Sequence, residues 1–109
     1  MATTYKVLGQ SNPSATTATT LYTVPSATST VVSTITVCNQ ASSAATYRIA
    51  VRPAGATLAA QHYIVYGATV PASDTTTLTL GLTLATTDVV TVYASSANLS
   101  FNAFGSEIA

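Results

Sequence analysis

Charge is what this chain has least of. Only Lys6, Arg48, Arg52, Asp74, Asp88 and Glu107 are ionised among 109 residues, and their charges cancel. Ordinary soluble domains carry roughly 25% charged residues; here the figure is 6%. A free, crowded monomer stays dispersed with a net charge of about 2–8. A chain that lacks one is expected to have much of its surface covered by other subunits. Three cations scattered along the chain neutralise few phosphates, so nucleic acid is excluded as the expected partner.

Other absences narrow the field further. A single cysteine, Cys38, excludes an intrachain disulfide and leaves the redox compartment unread. No apolar run approaches ~18 residues, so no membrane-spanning helix is expected. The N-terminal stretch MATTYKVLG has no charged segment followed by an apolar one. The chain therefore reads as one assembled in a cytoplasm. Tryptophan is missing and His62 is the only histidine. Metal sites and catalytic triads need several partners at suitable spacing, and no motif joins His62 to Asp74 or Asp88. No glycine-rich phosphate loop occurs either. An enzyme is not expected, nor a metal or a cofactor.

What is abundant is threonine, with 22 residues. Threonine keeps a surface polar and favours strands through its β-branch. Alternation with a period of two then marks the strands. Leu78, Leu80, Leu82 and Leu84 alternate with Thr77, Thr79, Gly81 and Thr83. Val90, Val92 and Ala94 alternate with Val89, Thr91 and Tyr93, and Leu99, Phe101 and Ala103 with Ser100, Asn102 and Phe104. Earlier in the chain, Thr3–Leu8 is a short strand with Tyr5 and Val7 on one face. Residues 9–20 read as a polar loop or arm. Leu21–Val24 is an edge-like strand stopped by Pro25. Val31–Cys38 is a strand expected to place Val31, Ile35 and Val37 on one side, with Val32 and Cys38 on the other. Ala45–Val51 turns Tyr47, Ile49 and Val51 inward. Ala56–Gln61 suits at most one helical turn, and His62–Tyr66 is another strand. Thr69–Ser73 echoes Thr23–Ala27: a short strand, a proline, a polar turn, then a long strand. The expectation is one domain over residues 1–109, an all-β antiparallel β-sandwich, Ig-like or jelly-roll-like, of about eight short strands.

Several side chains have both a structural and a functional reading. Cys38 reads as a buried structural thiol, since no Lys, Arg or His adjoins it to lower its pKa. His62 reads as a strand histidine at a sheet edge or subunit contact. Asp74 and Asp88, each opening a strand, read as turn caps. Arg48 and Arg52 lie four apart on a strand and so share a face. They suit either a contact with an acidic neighbour, through the carboxylate-matching fork of arginine, or a solvated surface. Asn98-Leu99-Ser100 fits the glycosylation pattern, incidental in a chain without an export signal.

The segment Val70–Ile108, VPASDTTTLTLGLTLATTDVVTVYASSANLSFNAFGSEI, resembles a pattern of small tailed-bacteriophage virion proteins. In that pattern a proline–acid turn leads to a leucine-rich strand, then a strand of the form Asp88-Val89-Val90-Thr91-Val92-Tyr93-Ala94, then a strand closing near Gly105-Ser106-Glu107. Tyr5–Asn39 is similar to the opening of the same proteins, notably those of cyanobacterial phages. The resemblance implies a non-enzymatic virion structural protein. The expected role is a capsid decoration or cement protein, a homo-oligomer with a trimer favoured, bound to other virion proteins such as the major capsid protein. The alternative it implies is a tail, neck, baseplate or fibre component that binds host glycan. The candidate subunit contacts are Arg48, Arg52, Tyr63, Tyr93 and Phe104.

Overall fold

A computed structural model describes residues 2–109. Eight strands account for most of them: β1 (Thr3–Ser11), β2 (Thr19–Thr23), β3 (Ser29–Asn39), β4 (Ala45–Arg52), β5 (Tyr63–Val70), β6 (Thr75–Leu84), β7 (Val89–Ala94) and β8 (Leu99–Ile108). They form two four-stranded antiparallel sheets. The first has the order β1-β8-β3-β6 and the second β2-β7-β4-β5. Strand pairs are nested: β1 with β8, β2 with β7, β3 with β6, β4 with β5. A long antiparallel ribbon folded over on itself gives this order, which is that of the eight-stranded jelly roll.

The inward faces of the two sheets make one core. Val32, Ile35, Val37, Ile49, Val70, Val90, Val92, Leu99 and Phe101 are fully buried there. Phe101 meets the ring of Tyr47 edge-on, with centroids 6.2 Å apart, the arrangement that ring quadrupoles favour. β7 departs from simple alternation, since Val89, Val90, Thr91 and Val92 are all buried. Its outer face is covered as well, in part by Arg52, whose Nε donates to Thr91 Oγ1 at 3.1 Å.

Bulges run across the middle of the first sheet. Leu8 is an extra residue on β1 between Val7 and Gly9. Ser33 is extra on β3 against β8, between Val32 and Thr34, and opposite it β6 carries an extra residue between Thr79 and Leu82. An extra residue reverses which face follows. Thr30 and Val32 therefore point inward before Ser33, and Ile35, Val37 and Asn39 after it. The expected grouping of Val31 with Ile35 and Val37 is corrected accordingly. Two glycines sit where backbones close in on this line. A Cβ on Gly9 would collide with the Leu21 carbonyl oxygen, and one on Gly105 with that of Val31.

Other boundaries shift as well. The polar stretch is shorter than expected, because Gly9–Ser11 belong to β1 and Thr19 and Thr20 to β2. Its remainder is tied down: Asn12 Nδ2 donates to the carbonyls of Ala97 and Leu99 at 2.9 and 2.7 Å, and Pro13 is buried. The helix-friendly patch holds only the 3-10 turn Ala60–His62. His62 belongs to that turn rather than to β5. The echo between Thr23–Ala27 and Thr69–Ser73 has a conformational counterpart. Ala27 and Ser73, two residues past each proline, both adopt φ of 52°, in the left-handed region that non-glycine residues seldom occupy.

Candidate functional site: an arginine clamped between tyrosines

The outer face of the second sheet gathers four polar and aromatic side chains in a row. Strand register places them there. Arg48 on β4 is opposite Tyr93 on β7 and Tyr66 on β5. All three point away from the core, since Tyr47, Ile49, Val92 and Ala94 take the inward positions. The guanidinium lies 4.2 Å from the Tyr66 ring centroid and 4.3 Å from that of Tyr93. Both contacts are within cation–π range. Tyr63 meets Tyr66 edge-on at 4.9 Å, with 84° between the rings.

Tyr63 and Tyr66 are three residues apart, so a regular strand would send them to opposite faces. A bulge at Ile64 brings them together, and a second at Gly67 turns Tyr66 outward although Ala68, two residues on, packs inward. The register passes from Ala68 to Tyr66 over Gly67, and from Val65 to Tyr63 over Ile64. Gly67 supplies a φ of +76°, which glycine adopts without steric cost. Val65 and Ala68 pack on the core, while Tyr66 stands 65% exposed. Beside these rings lies an open concavity of about 630 Å³, lined by Leu58, Ala59, Ala60, Tyr63 and Tyr66. Its wall is held by His62, whose Nδ1 accepts the Ala59 N–H at 3.1 Å, while the His62 N–H donates to the Ala59 carbonyl.

The five candidate contacts divide among three places. Arg48, Tyr63 and Tyr93 belong to the row just described. Arg52 projects from the same face of β4 but is committed internally. Besides Thr91, it donates from Nη1 to the carbonyls of Gly55 and Ala56 at 3.3 and 3.0 Å, pinning the loop after β4. Phe104 lies on the other sheet, opposite Val7. With Tyr5 (84% exposed) and Val7 (49%) it makes an apolar strip at the open edge strand β1. Tyr66 is absent from the contacts expected on sequence grounds. Period-two alternation sends it to the face opposite Tyr63, and only the bulge at Ile64 brings the two together.

The remaining candidates serve the fold. Asp88 accepts the N–H groups of Ala54 and Ala85 at 2.9 and 2.8 Å. Asp74 accepts that of Thr75 at 2.8 Å. Cys38 is only half buried, because it points outward from β3 rather than into the core as expected. Among the described residues no group of three His, Cys, Asp or Glu side chains could hold a metal ion, and no helix is long and apolar enough to cross a membrane. A separate polar network joins the sheets. Lys6 Nζ donates to Glu107 Oε1 at 3.2 Å, Tyr22 OH donates to Glu107 Oε2, and Tyr22 OH meets Thr30 Oγ1 at 2.8 Å. Burial, then the bond to Glu107, pushes the Tyr22 pKa up to about 12. The bond from Tyr22, reinforced by Lys6, holds the Glu107 carboxyl below its ordinary value. No family model, curated protein or solved structure matches this chain.

Proposed function

We propose that this protein is a non-enzymatic structural subunit of a tailed-bacteriophage particle, a capsid decoration or cement protein that works as a homo-oligomer on the shell. One observation carries the reading. A chain with only six charged residues leaves Tyr5, Val7 and Phe104 bare on one sheet face beside an open strand edge. Apolar surface at an unprotected edge is a site for association. A second copy or the major capsid protein of a shell would cover it, and a trimer closes around one axis without leaving the strip open. The jelly-roll strand order agrees with the reading without establishing it, since this architecture occurs in capsid and lectin domains alike.

Light scattering on the purified chain tests the association. The expected mass is three times the 11.0 kDa of one chain. A triple variant, Tyr5→Ser, Val7→Thr and Phe104→Ser, is expected to scatter as a monomer. A wild-type chain that stays monomeric at high concentration and does not bind emptied shells would end this reading.

A second reading is favoured by the concavity at Tyr63 and Tyr66. In it the chain is a tail, neck, baseplate or fibre component whose tyrosines meet host glycan. Recovery of the protein with separated tails, and not with heads, selects the second reading over the first.

A further inference from the structure

We infer that the Tyr93–Arg48–Tyr66–Tyr63 row and the concavity beside it bind a carboxylated saccharide. The inference deepens the glycan-binding reading and rests on it. It is independent of where in a particle the chain sits.

The distribution of charge points there first. Of the three cations, Lys6 is paired with Glu107 and Arg52 is bonded to Thr91, Gly55 and Ala56. Arg48 alone has neither a carboxylate nor a hydrogen-bond acceptor among the described residues; its contacts are the two ring faces. The second sheet contains Arg48 and Arg52 and no acidic residue in any of its four strands. Asp88, at the start of β7, has both oxygens engaged in turn bonds. This face therefore carries positive charge that the chain itself does not neutralise.

The shape of the site then selects the kind of anion. Two tyrosine rings hold the guanidinium by cation–π contact at 4.2 and 4.3 Å, and no acceptor among the described residues takes its N–H groups. A planar fork fixed in advance suits a carboxylate, which it meets through two parallel bonds. A cationic ligand is disfavoured, because Arg48 already occupies the space between the rings. Tyr66 is shared: one ring both clamps Arg48 and lines the concavity. A ligand reaching both needs an acidic group joined to a body with apolar faces and polar edges. A sugar ring has those faces and edges, and the volume of about 630 Å³ falls in the range of small-ligand sites. A lone acidic side chain of a protein would use Arg48 but leave the concavity empty.

The probes are a galacturonic acid trimer, the neutral galactose trimer and a glutamate trimer, titrated by calorimetry into the purified chain. The acidic sugar is expected to bind about tenfold more tightly than the neutral one, the effect of one charge-assisted contact. Added salt is expected to erode that preference. Arg48→Gln is expected to abolish it, so that the acidic and neutral sugars bind alike. Tyr66→Ala, at a largely exposed position, is expected to weaken both sugars, with circular dichroism confirming that each variant stays folded. Equal binding of both sugars, or an Arg48→Gln variant that keeps the preference, overturns the carboxylate assignment and leaves glycan binding standing. No binding of either sugar removes both. Binding of the glutamate trimer as tight as that of the acidic sugar also overturns the inference, in favour of an acidic peptide.

Discussion

Single residues decide how closely neighbouring strands can approach. Gly105 lies on β8, between β1 and β3, where the bulge line crosses. A Cβ there would collide with the Val31 carbonyl oxygen and come within 3.1 Å of Leu8 Cδ1. The first neighbour is backbone in a central strand and cannot swing aside, so β3 must move. Gly105→Ala is expected to cost about 3 kcal/mol or more, the upper end of overpacking penalties. That corresponds to a fall in melting temperature on the order of 15 °C for a domain of this size. Gly81 is the internal comparison. It has φ of +63°, but a methyl group there would meet nothing within 4 Å, so Gly81→Ala should lose only the left-handed strain of about 1–2 kcal/mol. Thermal melts of the two variants check the ranking; since Gly105 has no positive φ, equal losses would mean that the close approach to Val31 does not set its cost.

Elements were legible in the sequence where alternation runs unbroken, as in Leu78–Leu84 and Leu99–Ala103. Positions and types of strands followed from that period and from proline and polar turns. Phase did not follow where a bulge intervenes, because an inserted residue leaves no mark in composition. Ser33 reverses the face of β3 in that way, and Ile64 gathers Tyr63 and Tyr66 on one side of β5. Arg48 and Tyr93 stand out as outward residues, but their meeting with each other and with Tyr66 depends on the order of strands in the sheet. Asn39 shows a further element-scale device that the sequence presents only as part of a polar turn. It is buried at the end of β3. Its Nδ2 donates to the carbonyls of Ser43, Val70 and Pro71, and its Oδ1 accepts the Ala41 N–H. One side chain thus joins the end of β3, the turn before β4 and the exit of β5. Asn39→Ala strands those backbone groups without partners, at an expected cost of about 2–4 kcal/mol. Hydrogen exchange should show Ala41 and the end of β5 losing protection before the β7–β4 pair. Uniform loss across both sheets would contradict a local lock.

At the scale of the whole molecule, the scarcity of ionisable groups makes stability depend on pH through very few side chains. The Lys6–Glu107–Tyr22–Thr30 network joins β1 and β8 to β2 and β3, so its titration is felt by both sheets. Glu107 has its folded pKa lowered. Its contribution is present above the unfolded value near ~4.3 and is lost as pH falls through the lower folded value. Tyr22 has its folded pKa raised, from 10.0 to about 12. Its contribution is complete below 10 and is lost as pH rises towards 12, because the unfolded chain releases that proton first. A shift of this size in a buried phenol amounts to about 2–3 kcal/mol. Burial also raises the pKa of Tyr47, which adds to the same alkaline loss. Stability measured by urea unfolding should therefore hold across neutral pH and decline at both ends. Tyr22→Phe lowers the plateau, because Glu107 loses its donor and Thr30 its partner. It should also flatten the slope between pH 10 and 12, leaving the share that belongs to Tyr47. Glu107→Gln should remove most of the acid limb, and it should moderate the alkaline one, since the carboxylate is the second cause of the Tyr22 shift. An alkaline slope unchanged in Tyr22→Phe would place the titrating group elsewhere and break the link between this network and the joining of the two sheets.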